Sequence, residues 1–78
     1  MHYVYILKCA DQSYYTGCTQ NIEDRLKKHN AGQVHFTSNR LPVILISYFA
    51  FQEKHKAFQF EKYVKSGSGI AFRNKRLI

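Results

Sequence analysis

The chain has 78 residues, enough for one compact domain, because a chain of this length buries only about 60% of its unfolded surface and cannot support two hydrophobic cores. Apolar residues make up 45% of the sequence and aromatic residues 15%, which excludes the weakly hydrophobic composition of disordered chains. Twelve Lys and Arg against five Asp and Glu give a net charge of +7, which favours a polyanionic partner and above all nucleic acid.

A membrane or secreted role is disfavoured by the same sequence. It has no run of about 18 apolar residues, and no stretch joins clustered basic residues to a strongly apolar helical face. A strand-like segment starts at Tyr3, so we expect no signal peptide and a cytoplasmic protein. Cys9 and Cys18 lack the C-x-x-C spacing of redox and zinc sites, and we expect both to be reduced thiols.

The first eighteen residues predict a β-hairpin, because two runs rich in β-branched and aromatic side chains flank the turn-forming residues 11–13. A three-residue loop would pair Ala10 with Tyr14 and place Tyr5 and Tyr15 on one face of the sheet. A two-residue loop would place the two tyrosines on opposite faces.

A helix is predicted over about residues 22–30, with Asn21 as its N-cap and Gly32 in its stop signal. Pro42 then precedes the most hydrophobic run of the chain, residues 43–49, which has the composition of a central strand covered on both faces.

A second helix is predicted over about residues 53–65, where Ala57, Phe60 and Val64 form an apolar stripe, and a short basic helix over residues 70–75 follows. The order is β-β-α-β-α-α, which predicts an α+β fold with a small three-stranded antiparallel sheet flanked by helices. The whole chain, residues 1–78, is expected to be a single domain.

Glu61 is the first candidate site residue. Helical spacing puts it inside the apolar stripe around Phe60, and carboxylates are almost never buried without a partner. Two explanations remain open, an ion pair with a basic residue such as Arg25 or ligation of a cation.

Four further side chains are candidates because they border the predicted core. Arg25 and His29 lie one turn apart on the first helix, where a cation beside a histidine suits phosphate binding. Tyr5 and Tyr15 face the same side of the hairpin in one of the two registers. Ordinary core packing explains each of the tyrosines and His29 equally well when it is taken alone.

Two tripeptides carry a family resemblance. Tyr3-Val4-Tyr5 is followed ten residues later by Tyr15-Thr16-Gly17, and the pair resembles the GIY and YIG motifs of the GIY-YIG endonucleases. Residues 25–29 are similar to that family's arginine helix, and Glu61 matches its metal-binding glutamate. The resemblance spans residues 3–75 and is greatest to the small stand-alone bacterial members, with similarity to the nuclease domains of an excision-repair subunit and of homing endonucleases.

The departures from the motifs are limited. Tyr3 replaces the glycine of GIY and Thr16 replaces the isoleucine of YIG, whereas both motif tyrosines and Gly17 are kept. Asn74 lies near the position of the family's late asparagine.

The resemblance implies hydrolysis of a DNA phosphodiester by in-line attack of water, with Glu61 binding one Mg²⁺ or Mn²⁺ at the leaving oxygen. It implies Tyr5 as general base or water-orienting group, Tyr15 and His29 as groups that hold phosphate or transfer a proton, and Arg25 as the cation that neutralises the phosphorane. Three of the four other carboxylates lie at turns or helix starts, where capping explains them, so too few ligands remain for a two-metal cluster.

Basic side chains outside this set are expected to make phosphate contacts that do not depend on base sequence, although a solvated face is the simpler explanation for any one of them. They are Lys28, Arg40, Lys62, Lys65 and Arg73. Residues 65–69 have two interpretations, a backbone cradle for phosphate or a helix end and linker, and the lack of Walker spacing favours the linker.

The leading hypothesis is therefore a metal-dependent DNA endonuclease, directed by structure or damage and acting in DNA repair or recombination, with other repair proteins as further partners. The alternative is a binding module that keeps the fold but cuts poorly and docks DNA or a repair partner. A small basic scaffold subunit is the third hypothesis.

Overall fold

The computed structural model describes all residues from 1 to 78. Its elements in chain order are β1 His2–Lys8, β2 Tyr14–Thr19, α1 Ile22–Asn30, β3 Ile44–Phe51, α2 Lys54–Lys65 and α3 Gly67–Arg76. The strands form one antiparallel sheet in the order β2-β1-β3. The predicted α+β class, the three-stranded antiparallel sheet and the element order are all confirmed.

The central strand is β1, and both of its faces are covered. Four consecutive residues of β1, Val4 to Leu7, are buried. Because side chains alternate across a strand, Tyr5 and Leu7 lie on the face toward α1, where Leu26 packs against their cluster. Val4 pairs with Phe49, whose ring contacts Phe60 of α2, so Val4 and Ile6 lie on the opposite face.

The prediction that residues 43–49 form the central strand is wrong. That run became β3, an edge strand with partly exposed side chains, including Ile44 and Tyr48. Its hydropathy measures composition, whereas the central position depends on which strand has a partner on each side. The shorter first strand takes that position because it pairs with both β2 and β3.

The hairpin has a longer loop than either predicted register allows, yet the predicted face is correct. Leu7 pairs with Tyr15 and Tyr5 with Gly17, so five residues, 9–13, form the loop. The register differs by two residues from the pairing of Ala10 with Tyr14. A shift of two residues keeps every side chain on its face, so Tyr5 and Tyr15 still share one side.

Helix α1 begins and ends as predicted. The Asn21 side chain accepts a hydrogen bond from the Asp24 backbone N–H at 2.9 Å, which satisfies one of the free amides of the first turn. At the other end Gly32 has a φ of +77° and its N–H donates to the His29 carbonyl at 3.0 Å. The helix therefore presents His29 on its last turn, facing the sheet.

The helix end predicted at residues 65–69 is correct, since α2 ends at Lys65, but the predicted linker is not: α3 begins at Gly67, three residues before the expected Ile70. Ser66 caps this helix, since its hydroxyl accepts from the Gly69 N–H at 3.2 Å. Gly69 is buried against the end of α2, where an added Cβ would lie 1.6 Å from the Tyr63 carbonyl oxygen. Glycine at this position serves the close approach of two helices and not chain flexibility.

We expect Gly69→Ala to lower the free energy of unfolding by about 2 kcal/mol or more, because the clash is with backbone and α3 must move away from α2 to relieve it. Gly67→Ala is the matched control, since a Cβ there meets nothing within 4 Å and alanine favours a helix. Urea unfolding followed by circular dichroism measures both. Equal stability of the two variants would contradict the packing argument.

Candidate active site

Three aromatic side chains from three elements meet on the α1 face of the sheet. The hydroxyl of Tyr5 in β1 lies 3.0 Å from Nε2 of His29 in α1. The ring of Tyr15 in β2 packs edge-on against His29, with centroids 4.9 Å apart, and lies 6.2 Å from the Tyr5 ring. The sheet register and the last turn of α1 thus bring together three residues that are 10 and 14 positions apart in the sequence.

A second hydrogen bond fixes the histidine. Nδ1 of His29 lies 2.8 Å from the Thr37 hydroxyl, which in turn donates to the Val34 carbonyl oxygen at 3.4 Å. Because a hydroxyl has one hydrogen, Thr37 accepts from Nδ1–H, and Nε2 is then free to accept from the Tyr5 hydroxyl. The order of donation is Tyr5 to His29 to Thr37 to Val34.

Thr37 was not recognised from the sequence. It is fully buried although it lies in the polar loop between α1 and β3. A threonine in such a loop gives no local pattern that distinguishes it from its solvated neighbours. Only its contact with a buried histidine marks it.

Gly17 makes the cluster possible. It faces Tyr5 across the β1–β2 pair, and an added Cβ would lie 2.5 Å from the Tyr5 hydroxyl oxygen and 2.9 Å from a ring carbon of Tyr15. The missing side chain is the space in which the Tyr5 hydroxyl sits. Glycine is therefore needed at position 17 because any side chain there would overlap the Tyr5 hydroxyl.

Burial controls the proton chemistry of the cluster. Burial first and Tyr15 second raise the pKa of Tyr5 above the usual value of a tyrosine, and Arg25 only partly opposes them. Burial also lowers the pKa of His29, and the charge of Arg25 acts in the same direction. Tyr5 is thus a neutral phenol beside a neutral imidazole.

Arg25 and Glu61 approach the cluster from opposite layers. Arg25 is half-buried on α1, and its charge acts on Tyr5, His29 and Cys18. The charge of Glu61 on α2 raises the pKa of Tyr5 and of Cys18, after the larger effect of burial on each. Cys18 belongs to β2, an outer strand of the sheet.

The inward position predicted for Glu61 is correct in part. Its side chain is 20% exposed, and its ion-pair partner is Lys65 at 2.9 Å, one turn along α2, and not Arg25. Lys65 is itself 53% exposed, so the pair costs little to separate. The Glu61 carboxylate is thus mostly shielded from water, and its ion pair with Lys65 can still be broken.

The side chains near the cluster could bind one hard cation through a single carboxylate. They do not form a site in which protein ligands fill the coordination shell. No group of three or more His, Cys, Asp or Glu side chains lies close enough to share a metal. Magnesium commonly binds through one or two carboxylates, with waters and substrate phosphates completing its shell. Glu61 is half-buried beside the tyrosine cluster and could supply that single carboxylate.

The other carboxylates have surface partners. Asp11 is bonded by Ser13 and Arg40, which lower its pKa, the Ser13 hydroxyl having the largest effect. The remaining three pair with nearby basic residues, as Glu23–Lys27, Asp24–Lys28 and Glu53–His55. Glu61 is the one carboxylate whose charge reaches Tyr5.

The remaining predicted residues lie outside the cluster. Asn74 is exposed on α3, where its side-chain oxygen accepts two hydrogen bonds from Arg73 at 3.0 and 3.2 Å. Arg40 binds Asp11 at 3.0 Å and lies over the Phe36 ring at 4.2 Å, so it holds the α1–β3 loop against the hairpin. Lys28 and Lys62 are exposed.

The comparisons with known proteins identify the family of this chain. The model of the GIY-YIG catalytic domain matches residues 1–74. This chain belongs to the GIY-YIG family. A GIY-YIG catalytic domain is a nuclease domain, so membership indicates a nuclease, and the two motif tyrosines, Gly17, Arg25, His29 and Glu61 all lie within the matched residues.

Its relatives are UPF0213 proteins, a stand-alone GIY-YIG family. It is 48% identical to one from Clostridium perfringens over 83% of this chain and 71% of that one. It is 46% identical to one from Staphylococcus haemolyticus over 86% of this chain and 83% of the relative.

A solved structure shows the same fold. The solution NMR structure of a UPF0213 protein from Bacillus halodurans matches with a TM-score of 0.60 and 38% identity, over 97% of this chain and 85% of the other. None of the three helices of this GIY-YIG domain is long and apolar enough to cross a bilayer.

We expect the free energy of unfolding to fall as the pH drops below about 6.5, the usual pKa of histidine, toward the lower pKa of buried His29. Protonation in this range favours the unfolded chain, by at most about 1.4 kcal/mol per pH unit for one group. His29→Gln should remove this part of the slope, whereas His35→Gln, at an exposed histidine, should keep it. Urea titrations between pH 7.5 and 5.5 measure the slopes, and a parallel slope in His29→Gln would be inconsistent with the buried neutral imidazole.

We expect Gly17→Ala to displace the Tyr5 hydroxyl from His29, because the new methyl group would occupy its position. Nuclease activity should fall about 10²-fold, since a misplaced group near the reacting atoms costs about that much. The free energy of unfolding should also fall, by about 1–3 kcal/mol for each buried group left without its partner. Gly67→Ala is the control and should keep wild-type activity. Wild-type activity in Gly17→Ala would remove the steric argument.

Proposed function

We propose that this protein is a metal-dependent endonuclease that hydrolyses DNA phosphodiester bonds, directed by DNA structure or damage and acting in repair or recombination. The observation that carries the proposal is the buried hydrogen bond from Tyr5 to His29, with the charges of Arg25 and Glu61 acting on the same phenol. Core packing explains a buried aromatic ring, but it does not require a buried hydrogen bond between a tyrosine and a histidine.

The direction of hydrogen bonding supports a proton path. As a water attacks phosphorus, its proton passes to the Tyr5 oxygen while the Tyr5 proton passes to Nε2 of His29. The lowered pKa of His29 keeps Nε2 unprotonated and ready to accept. Thr37 then accepts from Nδ1–H of the imidazolium. The new P–O bond forms as the bond to the leaving oxygen breaks, and the transferred proton ends on His29.

Exposure divides the roles among the site residues. His29 is fully buried and Tyr5 is 2% exposed, so His29 acts through Tyr5, and water contacts the phenol only at the margin of the cluster. Tyr15 and Arg25 are half-buried and can touch the phosphate, where the guanidinium would neutralise the charge of the phosphorane. Glu61 would hold one Mg²⁺ or Mn²⁺, which supplies stabilisation of negative charge at the leaving oxygen.

Basic residues around the site support a DNA substrate. Lys62 and Lys65 lie on the same helix as Glu61, and Lys28 lies beside His29 on α1. These cations would bind the phosphates on both sides of the scissile bond, together with Arg73. Arg40 contributes to such binding only if it leaves its partner Asp11. The proposal includes a cytoplasmic location and contacts with other repair proteins.

The test is nicking of plasmid, branched and single-stranded DNA with Mg²⁺ or Mn²⁺. We expect Glu61→Gln to lower the rate by about 10²-fold or more, because the cation loses its carboxylate. Glu23→Gln is the matched control, since Glu23 also pairs with a lysine one turn along its helix but lies at the surface. Equal cleavage by wild type and Glu61→Gln would indicate a contaminating nuclease and defeat the proposal.

Arg25→Ala should also lose turnover, whereas Lys27→Ala, an exposed cation on the same helix, should keep it. Salt-dependent DNA binding without metal-dependent turnover on any of these substrates would instead identify a binding module.

A further inference from the structure

A groove lies along the outer edge of β2, next to the tyrosine cluster. It has a volume of about 270 Å³ and is lined mainly by Tyr14, Tyr15, Phe36, Lys65, Ile70 and Arg73. We call it the β2-edge groove. It is at the small end of pockets that hold a small organic molecule, roughly 300–1,000 Å³, which suits one planar ring system better than an extended chain.

The walls of the groove are aromatic and apolar. Tyr15 and Phe36 pack together, with ring centroids 5.5 Å apart, and Ile70 of α3 also lines the groove. Phe36 is 41% exposed and Ile70 is 40% exposed, although both are apolar. A planar ring in the groove would cover side chains that otherwise face water.

Two cations flank the groove. Arg73 lies over the Tyr14 ring, 4.8 Å from its centroid, and is thereby held at the rim. Lys65 lines the groove and also binds Glu61. A ligand that matches this lining would combine an aromatic surface with negative charge on its periphery, as a nucleobase in a phosphate-linked strand does.

The β2 residues of the groove offer hydrogen bonds. Tyr14 to Thr16 line the groove and belong to β2, which pairs with β1 alone. An edge strand leaves alternate backbone N–H and C=O groups without a strand partner, and these can meet the polar edge of a base. Because the β2 backbone supplies both donors and acceptors, it can form such hydrogen bonds with more than one kind of base.

Two residues place the groove relative to the proposed chemistry. Tyr15 belongs to both the groove and the tyrosine cluster, and Lys65 joins the groove to Glu61. A base in the groove would therefore be a close neighbour of a phosphate held between the tyrosines and Glu61. A base in an intact duplex stays stacked and paired, and it could enter only after it is extruded.

We propose that the β2-edge groove binds one unpaired nucleobase next to the scissile phosphate, so that the substrate is a single strand or a locally unpaired strand. This inference rests on the proposed nuclease function for the position of the phosphate. The recognition itself is contact of the base with the exposed apolar side chains of Phe36 and Ile70, with phosphate contacts from Lys65 and Arg73.

The experiment measures binding in EDTA, so that it does not depend on cleavage. Fluorescence anisotropy compares a short deoxythymidine strand, a uridine strand and an abasic strand of equal length and phosphate number, with a blunt duplex as a fourth ligand. Wild type should bind the base-bearing strand about tenfold or more tightly than the abasic strand, because base stacking contributes that much. Preference for uridine over deoxythymidine would support the groove with RNA as the source of the base.

Two variants of opposite kind test the groove. Phe36→Leu removes the ring and Ile70→Trp fills the space, and each should lower affinity for the base-bearing strand about fivefold or more while affinities for the abasic strand and the duplex stay unchanged. Tyr48→Leu is the matched control, an exposed aromatic residue at the opposite sheet edge. Misfolding would weaken all ligands alike, and the unchanged abasic strand excludes it.

Equal affinity of wild type for the base-bearing and abasic strands would overturn the proposal and leave the groove to another ligand, such as an extended peptide that pairs with β2. That result would not change the outcome expected of the nicking assay. Conversely, base-dependent binding without nicking would support the groove and count against the nuclease.

Discussion

The buried hydrogen bond between Tyr5 and His29 constrains most of this small domain. A phenol and an imidazole cannot be buried without partners, since each unsatisfied group costs about 1–3 kcal/mol. The bond requires a tyrosine on the α1 face of the central strand, a histidine on the last turn of α1 and a loop that returns to offer Thr37. It also requires Gly17 on the neighbouring strand. The hydrogen bond between the Tyr5 hydroxyl and Nε2 of His29 thus explains the residue types at positions 5, 17 and 29.

The same burial sets the chemistry. It keeps Tyr5 neutral and His29 unprotonated, so proton transfer through the pair needs no ionised tyrosine beforehand. In the proposed mechanism the cations around the site have a different function, to hold and neutralise phosphate. With one half-buried carboxylate near the cluster, the domain has few negative charges to repel its substrate. In this strongly basic chain, Glu61 is therefore the single acidic group that the proposed mechanism uses.

The outer edge of β2 is where the layers of the protein meet. Arg25 comes from one face of the sheet and Glu61 from the other, and both charges act on Cys18 of this strand. The groove along the same edge adds aromatic walls and two further cations beside Tyr15. An edge strand also has backbone groups that no neighbour uses. The cluster and the groove adjoin at Tyr15, which belongs to both and lies on a strand that pairs with β1 alone.

The sequence by itself determined the α+β class, the element order, the cap of α1 and the shared face of the two tyrosines, because capping and side-chain alternation are local properties. It also singled out Tyr5, Tyr15, Arg25, His29 and Glu61, through motif order and spacing. It misplaced the central strand and took the start of α3 for a linker, since pairing partners and helix–helix contact are not encoded in hydropathy. Only the tertiary structure decided that Lys65 pairs with Glu61, that Thr37 orients His29 and that a groove opens beside Tyr15. Each of these depends on side chains from separate elements meeting in space, and no local pattern specifies that distance.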